Sequence, residues 1–453
     1  MRRPGLVQNA GVPRSLRHPA RLVPLAFLTA IALGTLLLMV PAARAGTGSA
    51  PFLTALFTST SAVCVTGLVV VDTPTYWSGF GQAVILLLFQ VGGFGIMTGA
   101  TLLGLLVMQR LRLGYRLLAQ AETRSLQIGD VASVLKLIFV VTVSVEAALA
   151  LGLFARLHLG YGEPAPEAAW NAVFHAVSAF NNAGFSTYSD SLVRFAADAW
   201  IIVPVALAVI VGGLGFPVLH EIRRVRRWHR WSVHTKLTLV GTLALLTVGT
   251  GGFAWYEWDN AGTLGGHDLA IRWMGAFFHS VTSRTAGFNA IDVAAMEPES
   301  LTLGYALMFI GGGSAGTAGG IKVTTFMLLG AVVLAEVRGY RDTVVFRRRI
   351  SSAAQRQALS IVLLALGVVG IAVLVLSDLT DHTLQVLMFE VISAFATVGL
   401  STGITPSLPP AAQGVLIALM FIGRVGTTTV AAALALRGAA RLYRYPEERP
   451  IVG

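Results

Sequence analysis

Thr58-Ser59-Thr60-Ser61-Ala62-Val63-Cys64-Val65-Thr66-Gly67-Leu68-Val69-Val70-Val71-Asp72-Thr73 carries a short apolar run into a glycine set among small and hydroxyl residues. The run, 51–64, is too short to cross a bilayer, which takes about 20 apolar residues. It reads as a re-entrant helix. The arrangement returns three times. Asn182-Ala183-Gly184-Phe185 follows the run 167–181, Thr285-Ala286-Gly287-Phe288 follows 268–283, and Thr397-Val398-Gly399-Leu400 follows 383–396. The glycines of these motifs are 117, 103 and 112 residues apart. Repetition at such a period predicts similar units, here four around one axis. Glycine permits the backbone angles with which carbonyl oxygens line an ion path.

Composition sets the solvent. The 453 residues are 55% hydrophobic and 12% charged, with a mean hydropathy of +0.72. That describes a polytopic membrane protein. The net charge of +11 suggests nucleic acid until its distribution is read. Basic residues gather in five clusters, at 2–21, 110–136, 223–236, 338–356 and 437–449. The stretches holding the glycine motifs are acidic instead, with Asp72, Glu163, Asp190, Asp268, Asp292, Glu297 and Asp381. The positive-inside rule puts the clusters and both termini in the cytoplasm and the four motifs outside. Nucleic acid is not an expected partner; membrane lipid is. One cysteine, Cys64, excludes an intramolecular disulfide. The run Arg21 to Ala45 imitates a signal peptide, but its apolar part is long enough to span.

Five cytoplasmic segments require four excursions of two spans each. Apolar runs place them near 22–42, 78–108, 131–158, 197–220, 233–256, 299–340, 357–377 and 411–437. The expected fold is therefore all-α and membrane-integral, with eight spans and four re-entrant half-helices around one pore. Its parts are a cytoplasmic tail 1–21, repeats 22–110, 111–222, 223–350 and 351–440, and a tail 441–453. Within each repeat the order is span, half-helix, filter loop, span. The filter carbonyls expected to face a cation are those of Thr66, Gly67, Ala183, Gly184, Ala286, Gly287, Val398 and Gly399. Each half-helix should aim its negative C-terminal end at the cation. Ser61, Ser178, Thr282 and Ser393 should tie each loop to its half-helix.

A second glycine cluster recurs in the span after each motif: 91–95, 211–215, 310–313 and 422–426. In the first two, ordinary close helix packing is the main reading. The third continues as Gly311-Gly312-Gly313-Ser314-Ala315-Gly316-Thr317-Ala318-Gly319-Gly320-Ile321-Lys322 and cannot hold a regular helix in lipid. The host segment is expected to break there, with the loop below the outer glycines. The gate residues are expected to be Gly312, Gly313, Ser314, Gly316, Thr317, Gly319, Gly320 and Lys322, with Arg424 from the fourth cluster. An intramembrane arginine is a functional candidate by default. Snorkelling suits neither Lys322 nor Arg424 if both lie at mid-depth.

These motifs, together with Met420-Phe421-Ile422-Gly423-Arg424, resemble the membrane subunit of the Ktr/Trk/HKT superfamily of potassium transporters, in its KtrB-like form. The resemblance covers about 22–440. It implies potassium in the filter, a homodimer with one pore per protomer, and a KtrA-like cytosolic ring. The adenine nucleotide would sit on that ring, not on this chain. It also implies that the loop at 311–322 obstructs the pore, that the arginine at 424 helps hold the closed state, and that Gly67 favours potassium over sodium. Cys64 departs from the hydroxyl residue expected there.

Other readings stand beside these. His175 and His279 are a metal pair or hydrogen-bonded packing residues. Glu390 adds field at the entrance or forms a salt bridge. Glu146 is a proton or sodium relay, or bonds a neighbouring backbone or hydroxyl group. Gly316–Lys322 lacks the ending of a phosphate-binding loop. A sodium-coupled transporter of another small solute would show inverted repeats, whereas all four repeats point one way. An enzyme would need a polar catalytic cluster, and no such spacing occurs.

Overall fold

The computed structural model describes residues 19–115, 131–426 and 448. Most of the two expected tails, the end of the last expected span and much of three basic clusters lie outside the described residues. Each expected segment within them is helical. Pro19–Leu38, Gly79–Tyr115, Val131–Ala155, Val233–Glu257 and Ser352–Leu379 are single helices. Four short helices, Phe52–Val63, Ala165–Asn181, Leu269–Thr282 and Leu384–Ala396, match the runs read as re-entrant. Among the described residues four helical stretches are by themselves long and apolar enough to cross a membrane, namely Gly79–Gly99, Leu135–Gly160, Val233–Glu257 and Ser352–Leu379. A fifth forms if Ala199–Leu214 and Phe216–Arg224 count as one bent span.

That bend corrects the straight span expected at 197–220. The chain turns by 95° between the two helices. Gly215, at φ +91°, makes the corner, a backbone conformation that only glycine takes readily. Pro217 at the start of the second helix needs no intrahelical donor there. The span expected at 299–340 breaks as foreseen, into Pro298–Phe309 and Val323–Val337. A parallel bridge between Ile310 and Ile321 closes the neck of the connecting loop. The only strands among the described residues, Val344–Val345 and Arg348–Arg349, form an exposed hairpin.

Burial follows the short helices. Their C-terminal turns are largely buried, and fully so from Phe57 to Val63 and from Phe389 to Ala396. Longer helices surround them and keep exposed apolar faces, with Leu151, Trp200, Leu243 and Leu374 among the most exposed side chains. An apolar outer surface around a polar-threaded centre suits a lipid solvent.

Candidate functional site

The centre is built from the C-terminal ends of the short helices. Each is followed by a hairpin with the same backbone irregularity twice over. Val65, Asn182, Thr285 and Thr397 have φ of +56°, +57°, +89° and +51°. Two residues later Gly67, Gly184, Gly287 and Gly399 have φ of +93°, +70°, +74° and +94°. A non-glycine residue at positive φ costs about 1–3 kcal/mol. Four of them cost about as much as a typical domain's whole stability of about 5–15 kcal/mol. Surrounding structure must lock them.

Hydrogen bonds supply part of the lock. Thr66 N donates to Ser61 O at 2.7 Å, Ala183 N to Ser178 O at 2.8 Å and Val398 N to Ser393 O at 2.8 Å. Ala286 N donates to Thr282 O at 2.9 Å. Side chains repeat the tie in three units. Ser61 Oγ accepts from Gly67 N at 3.1 Å, Ser393 Oγ accepts from Gly399 N at 3.1 Å, and Ser178 Oγ donates to Phe185 O at 2.8 Å. In the third unit Thr282 ties the loop through its carbonyl alone, which also accepts from Gly287 N at 3.3 Å, while its hydroxyl turns back to His279 O at 3.2 Å. A threonine inside a helix readily bonds the preceding turn.

The hairpins meet in a closed ring. A Cβ on Gly67 would stand 2.5 Å from Ala183 O, one on Gly184 2.7 Å from Ala286 O, one on Gly287 2.3 Å from Val398 O, and one on Gly399 2.1 Å from Thr66 O. Each glycine thus lies against the carbonyl before the next glycine, in chain order and back to the first. No Cβ fits. Above the ring lies a cavity of about 280 Å³ that includes all four glycines in its lining. Asp72, Ser186, Ser189, Asn289, Ser401 and Thr405 also face it.

The loops around this cavity are cross-braced. Asp72 accepts from Ser189 Oγ at 2.7 Å, and Leu192 N donates to Asn289 O at 2.9 Å. Tyr188 donates to Glu163 at 2.6 Å; burial, with that carboxylate adding, pushes its phenol well above the ordinary range. Glu390, fully buried, accepts from Ser401 Oγ at 2.9 Å and from the Thr405 hydroxyl. Both partners face the cavity, so Glu390 lies directly behind its wall, and among the described residues it forms no salt bridge. His175 bonds Asn171 O at 2.7 Å and Ser186 Oγ at 2.9 Å, whereas His279 meets the edge of Phe253 with centroids 4.5 Å apart. The two histidines therefore have separate surroundings.

The glycine-rich loop lies on the other side of the ring. Its residues touch the left-handed residue of three hairpins. Thr317 Oγ1 donates to Asn182 Oδ1 at 3.0 Å. A Cβ on Gly319 would stand 1.9 Å from Thr397 Oγ1, and one on Gly311 3.3 Å from Thr285 Cγ2. The second glycine cluster holds the loop too: Gly313 N donates to Gly213 O at 2.8 Å and Thr317 N to Gly212 O at 3.1 Å. Close helix packing, the reading expected there, holds for Gly212, where a Cβ would stand 1.9 Å from Phe180 O, but it is incomplete, since Gly212 and Gly213 also seat this loop. The first cluster packs as expected, with Gly92 against Val63 O.

Cations grip the loop carbonyls. Lys322 Nζ donates to Ala318 O at 2.6 Å, and Arg424 Nη1 donates to Thr317 O. Two things escaped the sequence reading, the role of Arg284 and the partners of Glu146. Arg284, buried, donates to Gly311 O at 3.0 Å. Glu146 accepts from Asn181 Nδ2 at 3.0 Å and Gln90 Nε2 at 3.1 Å, and so anchors the last residue of the second short helix. It is hydrogen-bonded, but to two amide side chains and not to the backbone or hydroxyl group expected. An arginine adjoining the third motif was the available signal for Arg284; nothing local links Glu146 to Gln90, 56 residues away.

The TrkH family of cation transport proteins matches residues 6–439. The chain belongs to this family. It is 38% identical to Ktr system potassium uptake protein B of Bacillus subtilis over 96% of this chain and 97% of that protein. It is 36% identical to the potassium/sodium uptake protein NtpJ of Enterococcus hirae, covering 97% and 98%. The potassium transporter TrkH of Vibrio parahaemolyticus shares the fold, with a TM-score of 0.72 at 18% identity over 95% of this chain and 87% of that one. Family and apolar helices together make this a multi-pass membrane protein of the KtrB-like kind.

Proposed function

We propose that the chain takes up potassium across the cytoplasmic membrane through a gated pore whose selectivity filter is the four-glycine ring. The closed ring carries the reading. Carbonyls of Thr66, Ala183, Ala286 and Val398 at one level, with those of the four glycines beside them, offer a cation oxygens in place of water. The C-terminal ends of four short helices add negative field. The motif residues Val65, Leu68, Phe185, Phe288 and Leu400 set the hairpins in the core, being buried. The relatives named above for potassium uptake support the choice of ion.

In this reading the chain makes eight spans as four repeats, with both termini cytoplasmic. The broken or short helices, bent at Gly215 and at 310–322, complete spans that length alone does not. The loop 311–322, held by Lys322 and Arg424, is the gate in this reading, which its contacts with Asn182, Thr285 and Thr397 support. The protein works as a homodimer with a KtrA-like nucleotide-binding ring; relatives named as parts of a Ktr system support a multi-subunit assembly. The adenine nucleotide belongs to that ring.

Expression is expected to restore growth of a potassium-uptake-deficient bacterium at low potassium. Purified protein in proteoliposomes is expected to take up rubidium, with sodium varied to measure dependence. Correct membrane insertion with neither rescue nor rubidium uptake would refute the reading.

A further inference from the structure

Arg284 directly precedes Thr285, the left-handed residue of the third hairpin. It is 7% exposed and has no carboxylate partner among the described residues. Its fork reaches two separate elements. Nη2 donates to Gly311 O at 3.0 Å, and Nη1 donates to Thr242 O, on the Val233–Glu257 helix, at 3.4 Å. Gly311 is the neck of the glycine-rich loop: its N donates to Ile321 O at 2.9 Å, and Val323 N donates to Gly312 O at 3.0 Å. Lys322 and Arg424 grip the tip of the same loop, at Ala318 and Thr317. Lys322 belongs to the loop itself and Arg424 to the segment after the Pro410–Phe421 helix. Of these three cations only Arg284 sits on a ring-forming hairpin.

We propose that Arg284 is a strut through which the position of the loop sets the geometry of the third hairpin, so that opening and ion discrimination change together. The inference rests on the pore reading above. A guanidinium keeps its charge and presents a rigid planar fork. Buried without a counter-charge, it depends on its carbonyl acceptors and follows them. A loop movement that withdraws Gly311 O therefore pulls on Arg284 and, one peptide away, on Thr285. Thr285 has little room to absorb this, being already at φ +89° with Gly311 against its methyl group. A cavity of about 20 Å³ adjoins Arg284 and is lined also by Asn182, Thr242 and Gly312. It gives the guanidinium space to move.

The test is rubidium uptake with sodium competition in proteoliposomes, for the full chain and three variants. Arg284→Gln is expected to raise basal uptake and to lower the preference for rubidium over sodium by about tenfold, the size of one lost hydrogen bond to a charged donor. Arg424→Gln, which frees only the tip, is expected to raise uptake with the preference retained. Arg284→Lys keeps the charge but reaches one carbonyl, and is expected to fall between wild type and Arg284→Gln. It also serves if the glutamine variant does not fold. Full preference in Arg284→Gln, wild-type behaviour of Arg284→Lys, or equal loss of preference in Arg424→Gln would overturn the strut. Absence of uptake by the wild-type chain would instead strike the pore reading.

Discussion

At Gly67 a side chain has nowhere to go. Its φ is +93°, and a Cβ would stand 2.5 Å from Ala183 O and 3.1 Å from the Cα of Gly184. Both problems fall on backbone, which cannot swing aside as a side chain can. Gly67→Ser therefore has to move the first hairpin against the second. The positive φ alone costs about 1–3 kcal/mol for a non-glycine residue. Competition between rubidium and sodium in proteoliposomes is expected to show weakened discrimination, by about tenfold for each 1.4 kcal/mol of lost preference. Unchanged discrimination would mean that the ring does not set selectivity. Val65, a β-branched side chain at φ +56°, bears that backbone cost and must be held there by its surroundings. Cys64 beside it is fully buried and its N donates to Thr60 O at 2.8 Å. The departure from a hydroxyl residue at Cys64 leaves the first hairpin like the other three.

Among the elements, the glycine-rich loop invites removal. It is held by backbone bonds from Gly212 and Gly213 and by buried cations, not by an apolar core of its own. Its neck closes through Phe309, Gly311, Gly312, Ile321 and Val323. Deleting Gly313 to Gly319 removes the part lying against Asn182 and Thr397 and keeps most of that neck. Rubidium flux is expected to rise severalfold, and unchanged flux would remove the gate assignment while sparing the filter. The deletion also leaves Arg424 without Thr317 O. A buried charge stripped of its acceptor costs several kcal/mol, so the variant is expected to melt earlier than the parent in a thermal stability assay.

For the whole molecule the pore reading fixes a topology. Ser189, exposed beside the cavity above the ring, should face the outside, and Arg347, exposed at the tip of the arginine hairpin, the cytoplasm. Cys64, the one cysteine, is fully buried, so introduced cysteines can be labelled with little background. A membrane-impermeant maleimide is expected to label Ser189→Cys in intact cells. It should label Arg347→Cys only after permeabilisation. Labelling of both from one side would refute the topology.

The sequence by itself determined the short-helix-and-hairpin unit four times, the break at 310–322, and the family, because each rests on a local pattern: an apolar run of given length, a glycine, a motif. Helix length and backbone permissiveness are written within a few consecutive residues. Only the tertiary structure decided that the four glycines close on one another, that Gly215 bends its helix to seat the loop, and that Arg284 reaches Gly311. It also set Glu390 behind the cavity wall, as a buried acceptor for the hydroxyls of Ser401 and Thr405. These facts depend on partners tens to hundreds of residues away. A buried polar group takes whichever donor or acceptor the packed fold brings to it, and that choice is not encoded in its own neighbourhood.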